Sequence, residues 1–215
     1  MSLLQFSLQG QSRTFKTYRQ NAYRFWTSRR GYLQMVDNVI EFLTSANKLK
    51  WIERRGWVAK VNVNERESVA DHCYVTALIC MVIADLKGLN TNKIVKMALL
   101  HDMAESIIGD YMPEEISSEK KHVEEGKAIT TILDKLPSRL RSNYAKIWQE
   151  YKKGLSKEAA LVHQIDKFEM ALQARNYLQK GYDPDLLKQF FDSANKHVKD
   201  KTLLKMLNSL KHSSS

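Results

Sequence analysis

Two apolar runs with ionisable side chains at their ends constrain this chain more than any other feature. Residues 75–84 read VTALICMVIA and residues 94–100 read IVKMALL, parted by Lys87-Gly88 and Asn90-Thr91. A helix apolar on nearly every face is a core helix. Neither run approaches the roughly 20 residues needed to span a bilayer. Gly88 supplies a C-terminal stop and Asn90 or Thr91 an N-cap, so the pattern predicts helix, tight turn, helix. His72 stands just ahead of the first run, and His101-Asp102 closes the second. Such groups in apolar surroundings need a partner or a metal.

The rest of the chain points to an all-α protein. Period-3.6 patterns recur and strand-like alternation is almost absent. Met35, Val36, Val39, Ile40, Phe42 and Leu43 mark an amphipathic helix through about Lys48. Ser117 or Ser118 opens a helix through Leu136, and Pro137 opens another through about Lys153. Ser156 caps a long helix over 157–179 with Gly181 as its stop, Asp183-Pro184 starts a further one, and 201–211 add a short last one. With 215 residues and 43% hydrophobic content, one globular domain over 31–211 is expected. Cys73 and Cys80 are seven apart on one predicted helix, too far for a disulfide. Free thiols suit a reducing, intracellular setting, with the cytoplasm favoured.

The net charge of +10 is unevenly placed. Residues 1–30 hold Arg13, Lys16, Arg19, Arg24, Arg29 and Arg30 and no acid. Three readings fit this basic extension: a mitochondrial transit peptide, a loosely docked tail, or a nucleic-acid-binding arm using Tyr18, Tyr23, Phe25 and Trp26.

The chemistry gathers around His101. Glu105 lies four residues beyond it and three beyond Asp102, so a helix continuing through this point would put all three on one side. Imidazole with carboxylate suits zinc or another divalent transition metal. A lone His-Asp pair is weak evidence. It gains from His72 one helix earlier and from Asp166 within the apolar context VHQIDKF. His163, one turn before Asp166, reads as a surface or supporting group. His122, His197 and His212 sit among charges and read as solvent-facing. Residues 119–125 read as a solvated helix face, and Met97, Met103 and Met170 as core fillers.

His72, His101-Asp102 and Asp166 together resemble the H…HD…D signature of the HD-domain phosphohydrolase superfamily. The surrounding stretches Arg55-Gly56-Trp57-Val58, Glu67-Ser68-Val69-Ala70-Asp71-His72, Leu100-His101-Asp102-Met103-Ala104-Glu105, Gly109-Asp110 with Pro113-Glu114-Glu115, and Gln164 to Met170 are similar to its 5′-deoxynucleotidase branch, the one that includes bacterial YfbR and the eukaryotic HD domain-containing protein 2. The likeness runs from about Phe42 to Tyr182 and leaves residues 1–30 outside it.

That resemblance implies an HD-domain helical bundle, a small-molecule nucleotide substrate and a homodimer, with helices after Lys157 as a candidate surface; the short apolar runs argue for no membrane, and nucleic acid is disfavoured as a partner. His72, His101, Asp102 and Asp166 would hold one divalent cation, Mn²⁺, Co²⁺, Zn²⁺ or Mg²⁺. Glu105 would orient or deprotonate the attacking water, or else merely pair with a neighbour. Asp110 would serve the leaving oxygen or the sugar. Arg55 would clamp phosphate, with Arg54 as a spare. Trp57 would pack on sugar or base, or else fill the core, and Gly56 would give an unusual backbone turn between them. The implied reaction is hydrolysis of deoxynucleoside 5′-monophosphates. A phosphodiesterase acting on cyclic nucleotides or dinucleotides is disfavoured, because only His122 lies where a second metal would need ligands. A non-catalytic nucleotide- or nucleic-acid-binding module would have no need of Glu105 and Asp110.

Overall fold

A computed structural model describes residues 29–112 and 114–212, which include no β-strand. The basic extension of residues 1–28 lies outside the described residues. The helices are α1 (Arg29–Lys48), α2 (Arg55–Lys60), α3 (Val69–Lys87), α4 (Thr91–Leu100), α5 (Glu105–Ile108), α6 (Ser118–Leu133), α7 (Ser138–Lys153), α8 (Lys157–Gln179), α9 (Pro184–His197) and α10 (Lys201–His212). A 3₁₀ turn, Leu49–Trp51, follows α1. The all-α bundle expected from the sequence is the fold observed. The first helix opens slightly ahead of the expected boundary at residue 31.

The α3–α4 hairpin forms as its punctuation dictates. Ser68 caps α3, accepting from the Asp71 N–H at 3.1 Å, while Asp71 Oδ2 accepts from the Ser68 N–H at 3.0 Å. Gly88 ends the helix in the left-handed region at φ 63°, where a side chain would be strained. Asn90 Oδ1 then accepts from the Lys93 N–H and starts α4.

The centre of the bundle is α8, which packs against α3, α4, α7, α9 and α10. Its buried residues include Ala159, Val162, Ile165, Phe168, Ala171, Ala174 and Tyr177, and the alanines let neighbouring backbones approach closely. With α8 this enclosed, a dimer surface after Lys157 would have to come from α9 or α10, which expose Leu186 and Met206. One exposed apolar face lies on α3, at Tyr74, Leu78, Met81, Val82 and Leu86, and α1 exposes Leu33, Ile40 and Leu43 as well. So α3 is not apolar-buried all round. At 19 residues and mean hydropathy 1.6 it is also long and apolar enough to cross a membrane, because the helix extends well beyond its apolar run. Its other face, with His72, Cys73, Thr76 and Cys80, is sealed against α4 and α8. Both cysteines are free and buried.

Candidate active site

Three elements deliver the polar groups to one point. His72 sits one turn into α3, Asp166 midway along α8, and His101-Asp102 just past the end of α4. The α4 helix does not continue through this point. It gives way to tighter i→i+3 bonds, Met103 N–H to Leu100 O at 3.2 Å and Glu105 N–H to Asp102 O at 3.0 Å. In that tighter winding, side chains three apart eclipse. Glu105 thereby comes round to the side of Asp102, close enough for the two carboxyls to feel each other's charge.

The two imidazoles are oriented by their far nitrogens. His101 Nδ1 donates to the Ala98 carbonyl at 2.6 Å, and His72 Nδ1 donates to Glu169 Oε2 at 2.5 Å. Each ring therefore turns its Nε2 inward. His72 Nε2 stands 3.2 Å from Asp166 Oδ1 and 3.8 Å from Asp102 Oδ2, and His101 Nε2 stands 3.1 Å from Asp102 Oδ2. Despite these distances neither Nε2, both fully buried, is aligned with its carboxylate for a well-directed hydrogen bond. His72, His101 and Asp102 bring one ligand atom each within 4.8 Å of one another, and Asp166 joins them through its 3.2 Å approach to His72. Two buried nitrogens converging with two carboxylates fit a divalent cation.

The electrostatics agree. Burial pushes Glu105 well above the usual carboxylate range, and the charges of Asp102 and Asp110 push it further. Burial and Arg54 oppose protonation of His72, yet Glu169 and Asp166 raise it to about 10. Burial likewise opposes ionisation of Asp166, but Lys167 and His72 hold it well below its ordinary value. The shifts of Glu105 and His72 show carboxylates crowded around buried groups, a negative charge that a bound cation would offset in place of protons.

A cavity of about 480 Å³ opens over this cluster, a size suited to a small-molecule ligand. Its lining includes Arg54, His101, Asp102, Glu105, Asp110 and Asp166. Here the expected arginine is replaced by its neighbour. Arg54 Nη1 lies 3.3 Å from Asp102 Oδ2 and 3.9 Å from Asp110 Oδ2. Arg55 faces outward and pairs with Glu115 at 2.5 Å, while its backbone N–H donates to Asp110 Oδ2 at 2.9 Å. The cause is local: Arg54 is the extended N-cap of α2, fixed by its N–H bond to the Glu67 carbonyl, and Arg55 is the first helical residue.

Trp57 is the second correction. It is 1% exposed, wedged between Phe190 at 4.0 Å and Tyr177 at 5.1 Å between ring centroids, and its Nε1 donates to Glu67 Oε2 at 2.7 Å. It forms part of the cavity floor from below rather than an open wall for a sugar. Gly56 is helical, not an unusual turn, and an added Cβ there would rest against Phe190 at 3.5 Å. His163 stacks on Tyr151 and bonds the Tyr151 carbonyl through Nε2 at 2.8 Å, which directs it away from the cluster. His122 is exposed but lines the cavity mouth, and Met170 lines it too. Within 119–125, Lys121 bonds the Tyr111 carbonyl and Glu125 pairs with Lys152, so that face closes the cavity instead of facing only solvent. Sequence reasoning gave no role to Glu169, Glu67 or Lys167, which surround the ligands. Lys167 Nζ lies 3.1 Å from Asp166 Oδ2.

Fold and site together define a helical bundle with a candidate metal centre under a cavity, and the comparisons give it a family. Residues 46–206 match the family model described as "HD domain", and the chain belongs to the HD-domain family. It is 42% identical over 157 residues to human 5′-deoxynucleotidase HDDC2, covering 73% of this chain and 76% of that protein. It is 35% identical to 5′-deoxynucleotidase hdd1 of Schizosaccharomyces pombe, over 71% and 79% of the two chains. Among solved structures, the PH0347 protein of Pyrococcus horikoshii OT3 superposes with a TM-score of 0.67 at 31% identity, covering 80% of this chain and 97% of that one.

Proposed function

We propose that this chain is a metal-dependent phosphomonoesterase that hydrolyses deoxynucleoside 5′-monophosphates to the deoxynucleoside and phosphate. The observation that carries it is the convergence of two buried nitrogens, His72 Nε2 and His101 Nε2, on Asp102 and Asp166 without well-directed hydrogen bonds, beneath a cavity that also holds Glu105 and Arg54. The reaction type is supported further by the relatives named 5′-deoxynucleotidase.

His72, His101, Asp102 and Asp166 would hold the cation. When bound, it would acidify water and offset charge developing on the phosphoryl group. Glu105 Oε2 is buried without a hydrogen-bond partner, so it is free to take a proton from the attacking water as the new P–O bond forms. Arg54 offers a guanidinium to the phosphate oxygens, taking the role expected of Arg55. Asp110, held by the Arg55 N–H, stands ready at the leaving 5′-oxygen or the sugar. The test is phosphate release from 5′-, 3′- and cyclic nucleotides with Mn²⁺, Co²⁺, Zn²⁺ or Mg²⁺ after chelation. Release from 3′- or cyclic nucleotides but not from 5′-monophosphates would overturn the reading.

Homodimerisation is supported by the exposed apolar face of α3, and light scattering of wild type and Leu78→Glu tests it. The intracellular reading rests on the two free thiols. Fractionation of tagged full-length protein, with and without residues 1–28, decides between cytoplasm and mitochondrion.

A further inference from the structure

Behind His72 lies a group of buried side chains that the reaction as drawn leaves without a role. His72 is fully buried, and a single helix, α8, addresses both of its ring nitrogens. Asp166 approaches Nε2 at 3.2 Å, and Glu169 accepts from Nδ1 at 2.5 Å. The two carboxylates are three residues apart and so project from the same side of α8. Glu169 is 2% exposed and does not line the cavity. Glu67 stands beside it, with one oxygen within 4.8 Å of the facing atoms of His72 and Glu169. That trio is not a second cation site. Its side chains are already engaged with one another and with the core, Trp57 Nε1 donating to Glu67 Oε2 and His72 Nδ1 donating to Glu169 Oε2.

We propose that Glu169 is the positioning residue for His72. A neutral imidazole has one donor and one acceptor nitrogen. With a cation taking the lone pair of Nε2, the nitrogen aimed at Asp102 and Asp166, a carboxylate that can only accept holds the ring's remaining proton on Nδ1. It also holds the ring plane, because a ring flip would set carbon atoms against both carboxylates. The inference rests on the metal reading of the site, and Glu169 acts on the metal only through His72.

The experiment uses full-length protein stripped with chelator, comparing wild type, Glu169→Gln and Glu169→Met. Metal affinity is read by competition with a chromophoric chelator for Zn²⁺. The His72 Nδ1–H proton is read by ¹⁵N-edited NMR in metal-free and Zn²⁺-loaded protein. Wild type should show that proton far downfield in both states. Glu169→Met should lose it and bind Zn²⁺ roughly 10–100-fold more weakly, the usual effect of removing a ligand's hydrogen-bond partner. Glu169→Gln, which keeps an acceptor, should shift the signal upfield with a smaller loss of affinity. At saturating Zn²⁺ the KM of both variants should match wild type. A lowered Tm with unchanged Zn²⁺ affinity and an unmoved Nδ1–H signal would reduce Glu169 to a structural residue and overturn the proposal. Should Glu169→Met not fold, Glu169→Gln alone decides by the same two readouts. Failure of wild type to bind any ion would sink the metal reading separately, since the metal-free signal reads the Glu169–His72 pair directly.

Discussion

Arg54 Nη1 lies 3.3 Å from Asp102 Oδ2 at the base of the cavity, although the next residue, Arg55, reaches outward to Glu115. One peptide unit separates a buried, site-facing cation from a half-exposed one. The junction between an extended N-cap and the first residue of α2 makes the difference, and this junction is itself held by the Arg54 N–H bond to Glu67.

Arg54→Ala should therefore lower kcat/KM strongly, and Arg55→Ala only weakly. A hydrogen bond to a charged group contributes about 1.5–3 kcal/mol, which is roughly 10–150-fold. Arg55→Ala releases only Glu115 and leaves its own N–H on Asp110, so a change of a few-fold is expected. Steady-state kinetics on dAMP with both variants checks the order. The reverse ranking would return the phosphate clamp to Arg55.

Asp102 is approached by both Nε2 atoms and by Arg54, and its carboxyl is held below the usual range, against burial, by His101. Asp102→Ala should abolish stoichiometric divalent metal together with activity. Elemental analysis after dialysis measures it. Full occupancy in the variant would mean that the cation is bound elsewhere.

Glu105→Gln keeps size and hydrogen bonding but removes the proton acceptor. Metal content should stay at wild-type level while kcat drops, by about 10²–10⁴-fold for loss of a general base. A kcat near wild type with normal metal content would make Glu105 a packing residue.

Much of this site was legible because its ligands interrupt apolar helices whose ends are marked by punctuation residues. Gly88, Asn90, Ser156 and Gly181 place the ends of α3, α4 and α8 where the sequence puts them. The choice between Arg54 and Arg55 was hidden, since two identical residues differ only in backbone conformation. The burial of α8 was hidden as well. Asp166 was legible as a ligand candidate in its apolar context, but Glu169 carried no such signal, and only the fold reveals that it meets the far nitrogen of His72. Trp57 misled for a related reason: its N–H finds Glu67, ten residues away, so a residue type common at ligand walls could be sealed in the core.

Glu67 gives a pH signature. Burial, then the charge of Glu169, raises its carboxyl from an ordinary 4.5 to about 8. Folding thus favours the protonated form. The stability it contributes is complete below pH 4.5 and is lost as pH climbs to about 8. Metal-free protein should show Tm falling across that window. Glu67→Gln has no proton to lose and should flatten the fall. Parallel Tm curves for the two proteins, measured by scanning calorimetry, would assign the slope to other groups.

Trp57→Phe separates the two roles a tryptophan can have here. Phenylalanine retains ring packing between Phe190 and Tyr177 but cannot donate to Glu67, which is itself only 7% exposed. Leaving a buried acceptor without its donor costs about 1–3 kcal/mol. Urea unfolding of the metal-loaded protein should show a midpoint lowered accordingly, with an unchanged slope. Because the indole is almost wholly buried and phenylalanine keeps its ring packing, the preference for dAMP over AMP should be the same in Trp57→Phe as in wild type. A site that excludes a hydroxyl by shape discriminates by roughly 10- to 200-fold. If that ratio collapsed in the variant while stability held, Trp57 would be reaching the sugar after all, and its burial would belong to a state the substrate opens.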